Sequence, residues 1–564
     1  LAGTLQADFL QPQSNTGLTI VSPTGSTMAS INTAGIYSAT GTQMFNASGT
    51  ITSGVDITVN GLTVGRGAGN VNTNTALGSG VFQGNTTGNN NTSVGYQAGY
   101  GNTTGTWNCA FGVQALINTS SGSYNTGIGA GAVALTTTGA NNTGVGYGAL
   151  LNNTTASNNT AVGYQSLYTN QTGTGLTAIG YGAMYYTTGS YNTALGVGAG
   201  YAITTGTYNT ALGWNAVANQ SVTGSYNVGI GAQAMYQLTS GSYNIGLGYQ
   251  AGYNLTTATS CVAVGYKALF TASATGNVDG SIAIGQNAAR DTSTGLILAI
   301  GNGAGIQTTT GDQNTIVGHG AMYYNLTGGS NTAVGRQSLF SNTTNSYNTA
   351  VGYGSAYYST GSSVTAVGYN ALAGNSGSTG GSYNTALGYG AGNNMTTGSY
   401  NTYLGYQAVA SGSANSNELV ISANSSVTGK GTNTGFISAG GGASIYQGNN
   451  SGSWSTTSDS RIKKNITSLS NSLDKILALK PSEFDYKEDD THDVGFIAQE
   501  YQNVFPDQII EHDPSPEEKE WVTEGKVLGI QQNLVPYLVK AIQELKADND
   551  SMRAALKAAN IAGF

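Results

Sequence analysis

Across most of the chain, small and hydrophobic residues recur with a spacing close to 17, in stretches such as "YNTALGVGAG", "NTAVGRQSL" and "YNTALGYGAG". Nineteen glycines mark the register, running from Gly95, Gly112 and Gly129 through to Gly388 and Gly405. The residue before this anchor is aliphatic in 18 repeats and Phe111 in the other; Ala stands three residues after it in 16, and Asn four residues before it in 14. Such a period is too short for a pair of helices and predicts two short strands with two turns. Stacked, these repeats form a parallel β-solenoid in which each coil satisfies its neighbour's backbone hydrogen bonds. The pattern puts the aliphatic residue and the Ala, four apart around the glycine, into a thin interior. The glycine permits close backbone approach or a positive φ, and the Asn suits local backbone bonds and a left-handed turn. A single coil this thin buries too little apolar surface to offset its chain entropy, so trimerisation is expected to supply the missing burial.

The periodic body covers residues 81-410. Before it, residues 1-80 alternate apolar and polar positions between Gly and Asn turns, as in "GVDITVNGLTVG", and predict short β-hairpins or a β-prism that starts the trimer. Residues 411-457 read as a β-rich connector. After Ser458 the period changes. "NSLDKILALKPSEFDYK" predicts a short helix, a stop at Pro481 and a strand, and "DVGFIAQEYQNVFPDQI" a strand leading into a helix. Pro536 opens a last helix, in which Leu538, Ile542, Leu545, Asn549, Met552 and Leu556 step by four and three. That spacing is a short coiled-coil seam with one polar position suited to fixing oligomer state. The fold class expected is mainly β: a trimeric parallel β-solenoid, then a small α+β domain at 458-564 ending in a coiled-coil helix.

Charge sharpens the boundary. Only 7% of the 564 residues are charged, and from Asp459 onward lie 12 of the 17 Lys and Arg and 19 of the 25 Asp and Glu. The net charge of -8 offers no basic surface for nucleic acid. No run of about 18 apolar residues exists to insert into a membrane. The opening "LAGTLQADFL" lacks both a signal-peptide pattern and Met, which suggests a fragment or a processed form. Cys109 and Cys261 sit in different repeats, so an intrachain disulfide is not expected.

Candidate chemistry in the body is sparse. Ten anchors are followed by Tyr, and nine carry Tyr or Trp five residues earlier, so two aromatic ladders are expected. They stack along the solenoid, or across a trimer, or present rings to cell-surface sugars. An ice-binding surface is disfavoured, since the Thr-Thr-Gly segments are irregular in register. Glycosidases need two flanking carboxylates, and between Asp56 and Asp459 the chain has only Asp279, Asp291, Asp312 and Glu418. Asp279 and Asp291 lie one coil apart and could form a pair, but plain scaffold is the reading expected. His319, His492 and His512 show no metal-ligand spacing, so neither a metal nor another cofactor is expected.

"NNTSVGYQAG" and "YNTALGYGAG" resemble the head repeats of trimeric autotransporter adhesins and of bacteriophage tail fibres. The resemblance covers about residues 81-410 and implies left-handed β-rolls assembled as a trimer. The autotransporter version ends in a membrane-anchor barrel, a module this sequence lacks, which favours the phage reading.

At the border, "SDSRIKKNI" sets Ser458 five residues before Lys463. A lysine in an apolar site loses basicity until it can take a serine proton near neutral pH. Spacing alone favours a solvated charged strand, because Ser and Lys are common. The wider pattern adds Asp459 and Arg461, then "VGFIAQE" with Gly495, Gln499 and Glu500, then "VFP" and "LVKAIQEL". Together these resemble the intramolecular chaperone domain of endosialidase-type phage tailspikes. The resemblance implies that residues 458-564 drive trimeric folding and then cut themselves off between Ser458 and Asp459, with Ser458 and Lys463 as a single-turnover dyad. A serine attacking its own carbonyl would close a four-membered ring, and attack on the Thr457 carbonyl would cut on the other side, so a serine of another protomer or a water stays open. The expected protein is thus a homotrimeric tail fibre or tailspike of a virion. Its partners would be a host-surface glycan or protein receptor, not identified by the sequence, and other tail or baseplate proteins. A bacterial surface adhesin and a polysaccharide-degrading tailspike are the alternatives.

Overall fold

In a computed structural model the chain divides into two units, Leu1–Thr457 and Ser458–Phe564. The structure describes five strands within 10-46, and residues 56-563 apart from 219-220, 272-277, 376-379, 424-425, 441-442, 448-459, 461-462, 488-491, 515-517, 532, 560 and 562. The five early strands, from Leu10–Gln13 to Gln43–Asn46, pair antiparallel in sequence order. A hairpin of Ile57–Val59 and Leu62–Gly65 then leads into one parallel ladder. That ladder starts at Thr75–Gly78, climbs through every anchor repeat, and continues past Thr402–Leu404 to Leu419–Ser422 and Gly435–Gly440.

The mainly β solenoid is as expected, but the coils from Gly95 to Gly388 hold one strand each, not two; the coil of Gly405 adds a second, Ala408–Val409, which pairs parallel with Val427–Thr428. The strand is three residues in most repeats, such as Thr160–Val162. The opposite wall keeps the coil-to-coil bonding without extended geometry: Leu116 N donates to Ala132 O (3.0 Å) and Asn118 N to Ala134 O (2.9 Å). It avoids strand geometry because the second and fourth residues after the anchor are left-handed, as at Gln114 (φ 56°) and Leu116 (φ 54°). The anchor glycine is needed on both counts the sequence raised. Gly129 has φ 128°, and a Cβ there would sit 2.5 Å from the carbonyl oxygen of Gly146 in the next coil.

The interior corrects the expected facing. The small residue two before the anchor points inward (Ala161, Ala178, Ala194), as does the Ala three after it (Ala115, Ala149, Ala199). The larger core side chain is the fourth residue after the anchor, as in Leu116, Leu150, Leu167 and Met184. The aliphatic residue just before the anchor faces outward; Leu195 is 44% exposed and Leu387 48%. The physical reason is parity, since neighbours in a strand point to opposite faces and the inward place is already taken by Ala.

Asn four before the anchor is also used differently. It is not left-handed; the residue before it is, as at Trp107 (φ 59°) and Tyr124 (φ 60°). The Asn is buried and links coils. Asn125 Nδ2 donates to Gly139 O (2.9 Å), while its Oδ1 accepts from the backbone N of Asn142 (3.0 Å). The same links run from Asn91 to Leu176, so along this run the buried amides are satisfied by their neighbours, as burial requires. Further on, Asn348 accepts from Val364 N (2.9 Å) while its Nδ2 has no partner among the described residues.

The C-terminal unit is the expected small α+β fold. Helix α1 (Ser472–Ala478) precedes a hairpin of Pro481–Asp485 and His492–Phe496. Helix α2 (Ala498–Tyr501) follows, then a second hairpin of Ile509–His512 and Val527–Ile530, and the long helix α3 (Val535–Ala558). The Leu473 backbone N donates to Glu544 Oε2 (2.7 Å) and ties α1 to α3. Leu538, Ile542, Leu545 and Met552 on α3 remain exposed. Among the described residues no helix is long and apolar enough to cross a membrane.

Candidate processing site and solenoid surfaces

Ser458, Asp459 and Arg461 lie outside the described residues. Lys463 is exposed, at the start of an irregular segment, and its backbone N donates to Ser460 O (3.2 Å). Gly495, Gln499 and Glu500 are brought together where the strand His492–Phe496 turns into α2. Gly495 pairs with Ser482, and a Cβ on it would press on the Phe484 ring at 3.3 Å. Glu500 reaches Lys480 (3.5 Å), an exposed pair that contributes little stability.

This turn is held by residues the sequence reading did not single out. Tyr501 is buried against Phe496 and Phe505, with ring centroids 5.5 and 5.4 Å away. Its hydroxyl donates to Gln508 Oε1 (2.7 Å), which also accepts from Asn533 N (3.2 Å). Burial, and then Tyr537, raises the Tyr501 phenol above its ordinary pKa, so it stays a donor. The signal was the run "EYQNVFPDQ", whose aromatic spacing suits a turn packed on itself.

The aromatic ladders stack along the solenoid. Tyr191, Tyr208, Tyr226 and Tyr243 follow one another at centroid distances of 5.0, 5.0 and 5.1 Å. Tyr147, Tyr164 and Tyr181 do the same beside the anchor. A third ladder, five residues after the anchor, was missed: Tyr168, Tyr185 and Tyr201 stack at 5.0 and 5.4 Å.

The few charged groups of the body serve local ends. Asp291 binds Arg290 through both oxygens (2.7 and 2.6 Å). Asp279 does not share its cleft; it lines one of about 360 Å³ with Asp312. Both cap turns, Asp279 accepting from Thr259 N (2.7 Å) and Asp312 from Leu296 N (2.7 Å). Glu418 is buried at the far end of the ladder, where it accepts from Tyr403 Oη (3.2 Å), Ser411 Oγ (3.3 Å) and Gly431 N (2.8 Å). Burial, reinforced by Glu418, pushes the Tyr403 phenol far up. Cys109 and Cys261 are both free thiols, and burial pushes Cys261 up to about 11.

No curated protein and no solved structure matches the chain. Residues 458–510, which include Ser458, Lys463, Gly495, Gln499 and Glu500, match the Peptidase_S74 family, described as the chaperone of endosialidase; the chain thus joins a long β-solenoid to a C-terminal segment of that type.

Proposed function

We propose that the chain is a subunit of a trimeric bacteriophage tail fibre or tailspike that serves host-cell attachment. Its C-terminal unit guides assembly and then releases itself by cleavage between Ser458 and Asp459. The observation that carries this reading is the outward aliphatic stripe of the solenoid, joined to a segment of the endosialidase-chaperone type. Contiguous apolar surface on this scale marks an interface. At about 1 kcal/mol for each half-exposed aliphatic side chain, nineteen anchor repeats outweigh an association cost of ~4–15 kcal/mol. Three copies of one chain meeting along the stripe satisfy it without a second gene product. The exposed apolar positions of α3, Leu538, Ile542 and Leu545, support a second, local trimer contact.

In this reading Ser458 of another protomer, its proton taken by Lys463, or a water attacks the Ser458 carbonyl. The bond to the Asp459 nitrogen breaks as that nitrogen takes the proton and leaves as the new amino terminus. Expressed whole, the chain splits into residues 1-458 and 459-564 without added protease, as read by mass spectrometry of both products. Ser458→Ala and Lys463→Ala leave it full length but still trimeric. Efficient cutting by Lys463→Ala would sink the dyad, and a monomeric Ser458→Ala would sink the assembly role.

A further inference from the structure

Within a ladder, each aromatic ring lies against the next at close to 5 Å, so its faces are covered and mainly its edge meets water. A ring face opens only where a ladder is interrupted. In the third ladder Tyr185 stacks on Tyr201 at 5.4 Å, and Tyr236 stacks on Tyr253 at 5.4 Å. The coil between Tyr201 and Tyr236 carries Ala218 at the corresponding position. Tyr201 and Tyr236 therefore stand two coil steps apart, roughly 9.6 Å. Each has one neighbour in its own stack, and both line the same cleft of about 330 Å³. The ladder beside the anchor is broken at the same height, where Val197 follows Tyr181, and Asn215 borders the cleft as well.

The spacing and the charge select the occupant. Half of the gap, about 4.8 Å, is close to the spacing at which the ladders' own rings stack, so the slot takes one ring. A puckered saturated ring, with axial hydrogens on both faces, fills it. Residues 67-266 contain no Asp, Glu, Lys, Arg or His, so nothing here pairs with a phosphate, sulfate or carboxylate. The Asn215 amide is the kind of group that fixes hydroxyls in a mostly apolar site. We propose that the break between Tyr201 and Tyr236 is a slot for one neutral pyranose ring of a glycan, gripped on both faces by the two phenol rings and oriented by Asn215. The proposal rests on the attachment reading and gives it a ligand class.

The test uses the full chain on an array of printed glycans that sets neutral hexose oligosaccharides beside sialylated, uronylated and sulfated ones. The same protein is also bound to a panel of bacterial strains. The unsubstituted protein retains neutral glycans. Ala218→Tyr completes the ladder, keeps the thermal stability, and weakens retention about tenfold or more, since both stacking contacts are lost. Tyr236→Ala weakens it likewise, whereas Tyr226→Ala, inside an unbroken stack, leaves it unchanged. Undiminished glycan binding by a folded Ala218→Tyr overturns the slot, as does retention of anionic glycans only. If cells are bound equally by the unsubstituted protein and Ala218→Tyr, the slot is wrong and attachment stands. If neither cells nor glycans are bound, both readings fall.

Discussion

At five coils the fourth residue after the anchor is Gly where other coils have Leu, Met, Val or Ala, and in each a larger side chain from elsewhere occupies the space. A Cβ on Gly200 would lie 3.0 Å from Ile203, on Gly252 2.6 Å from Leu255, and on Gly305 2.8 Å from Ile316. Gly99 faces Phe82 and Gly392 faces Tyr403 in the same way. Where that position is large, as at Met184, the partner is small, here Thr187. Met235 keeps the large Leu238 beside it, and the room comes from Gly229 and Gly246, whose Cβ atoms would lie 3.3 and 2.9 Å from Met235. The interior thus conserves volume coil by coil, as a close-packed core must. Gly252→Met should overpack its coil by about 1–3 kcal/mol, and Leu255→Thr should leave a hole costing a similar ~1–3 kcal/mol. The double variant recreates the Met184–Thr187 pair and should recover most of both losses in thermal unfolding; simple additivity of the two costs would show that the sites do not share one space. Sequence periodicity gave the Ala positions but not this exchange, because Gly, Ile and Leu at neighbouring offsets look like noise until the coil is closed.

A three-residue strand is too short for alternation to reveal which face is inside. That is why the aliphatic residue before the anchor was expected in the core although it lies outside. The better signal was its neighbour: two residues before the anchor stands Ala, Gly or Ser in every repeat but those of Ile316 and Tyr403, the two that fill a Gly-made space. The Asn links were equally hidden, since the amide reaches across coils, 14 and 17 residues away. The parallel ladder, the two early Tyr ladders and the elements of the C-terminal unit were legible, because each rests on local pattern. Of the candidate site, the sequence picked out Gly495, Gln499 and Glu500 at one turn; it did not pick out Tyr501 and Gln508, whose roles depend on burial. Reversal of the stripe has a testable consequence for the proposed trimer. Ile179→Asp with Leu195→Asp places charges where three chains would meet and cannot be solvated there. Light scattering should show loss of the trimer, whereas Tyr347→Asp, at a position 70% exposed on another corner, should keep it. A trimer that tolerates the paired aspartates has its interface elsewhere.

The repeats that make the solenoid also make its assembly ambiguous. Three chains slipped by one coil bury nearly the same groups, because successive anchors differ little in sequence, so many registers compete at similar energy. A trimer formed first through α3, where Leu538, Ile542, Leu545 and Met552 are exposed, would fix the register before the coils associate. Once the stripes have met, unfolding has to break many interfaces together, and the rod persists kinetically without its guide. The consequence is an asymmetry between two samples of identical covalent structure. A chain ending at Ser458 from the start of synthesis should aggregate or stay unfolded. The same residues 1-458 released by self-cleavage should remain a soluble, heat-resistant trimer, yet fail to reform after denaturation and dilution. Melting and light scattering on both samples decide the matter. If the chain made without residues 459-564 assembles into trimers of equal heat resistance, register is set within the solenoid, and the C-terminal unit has no folding role in this protein.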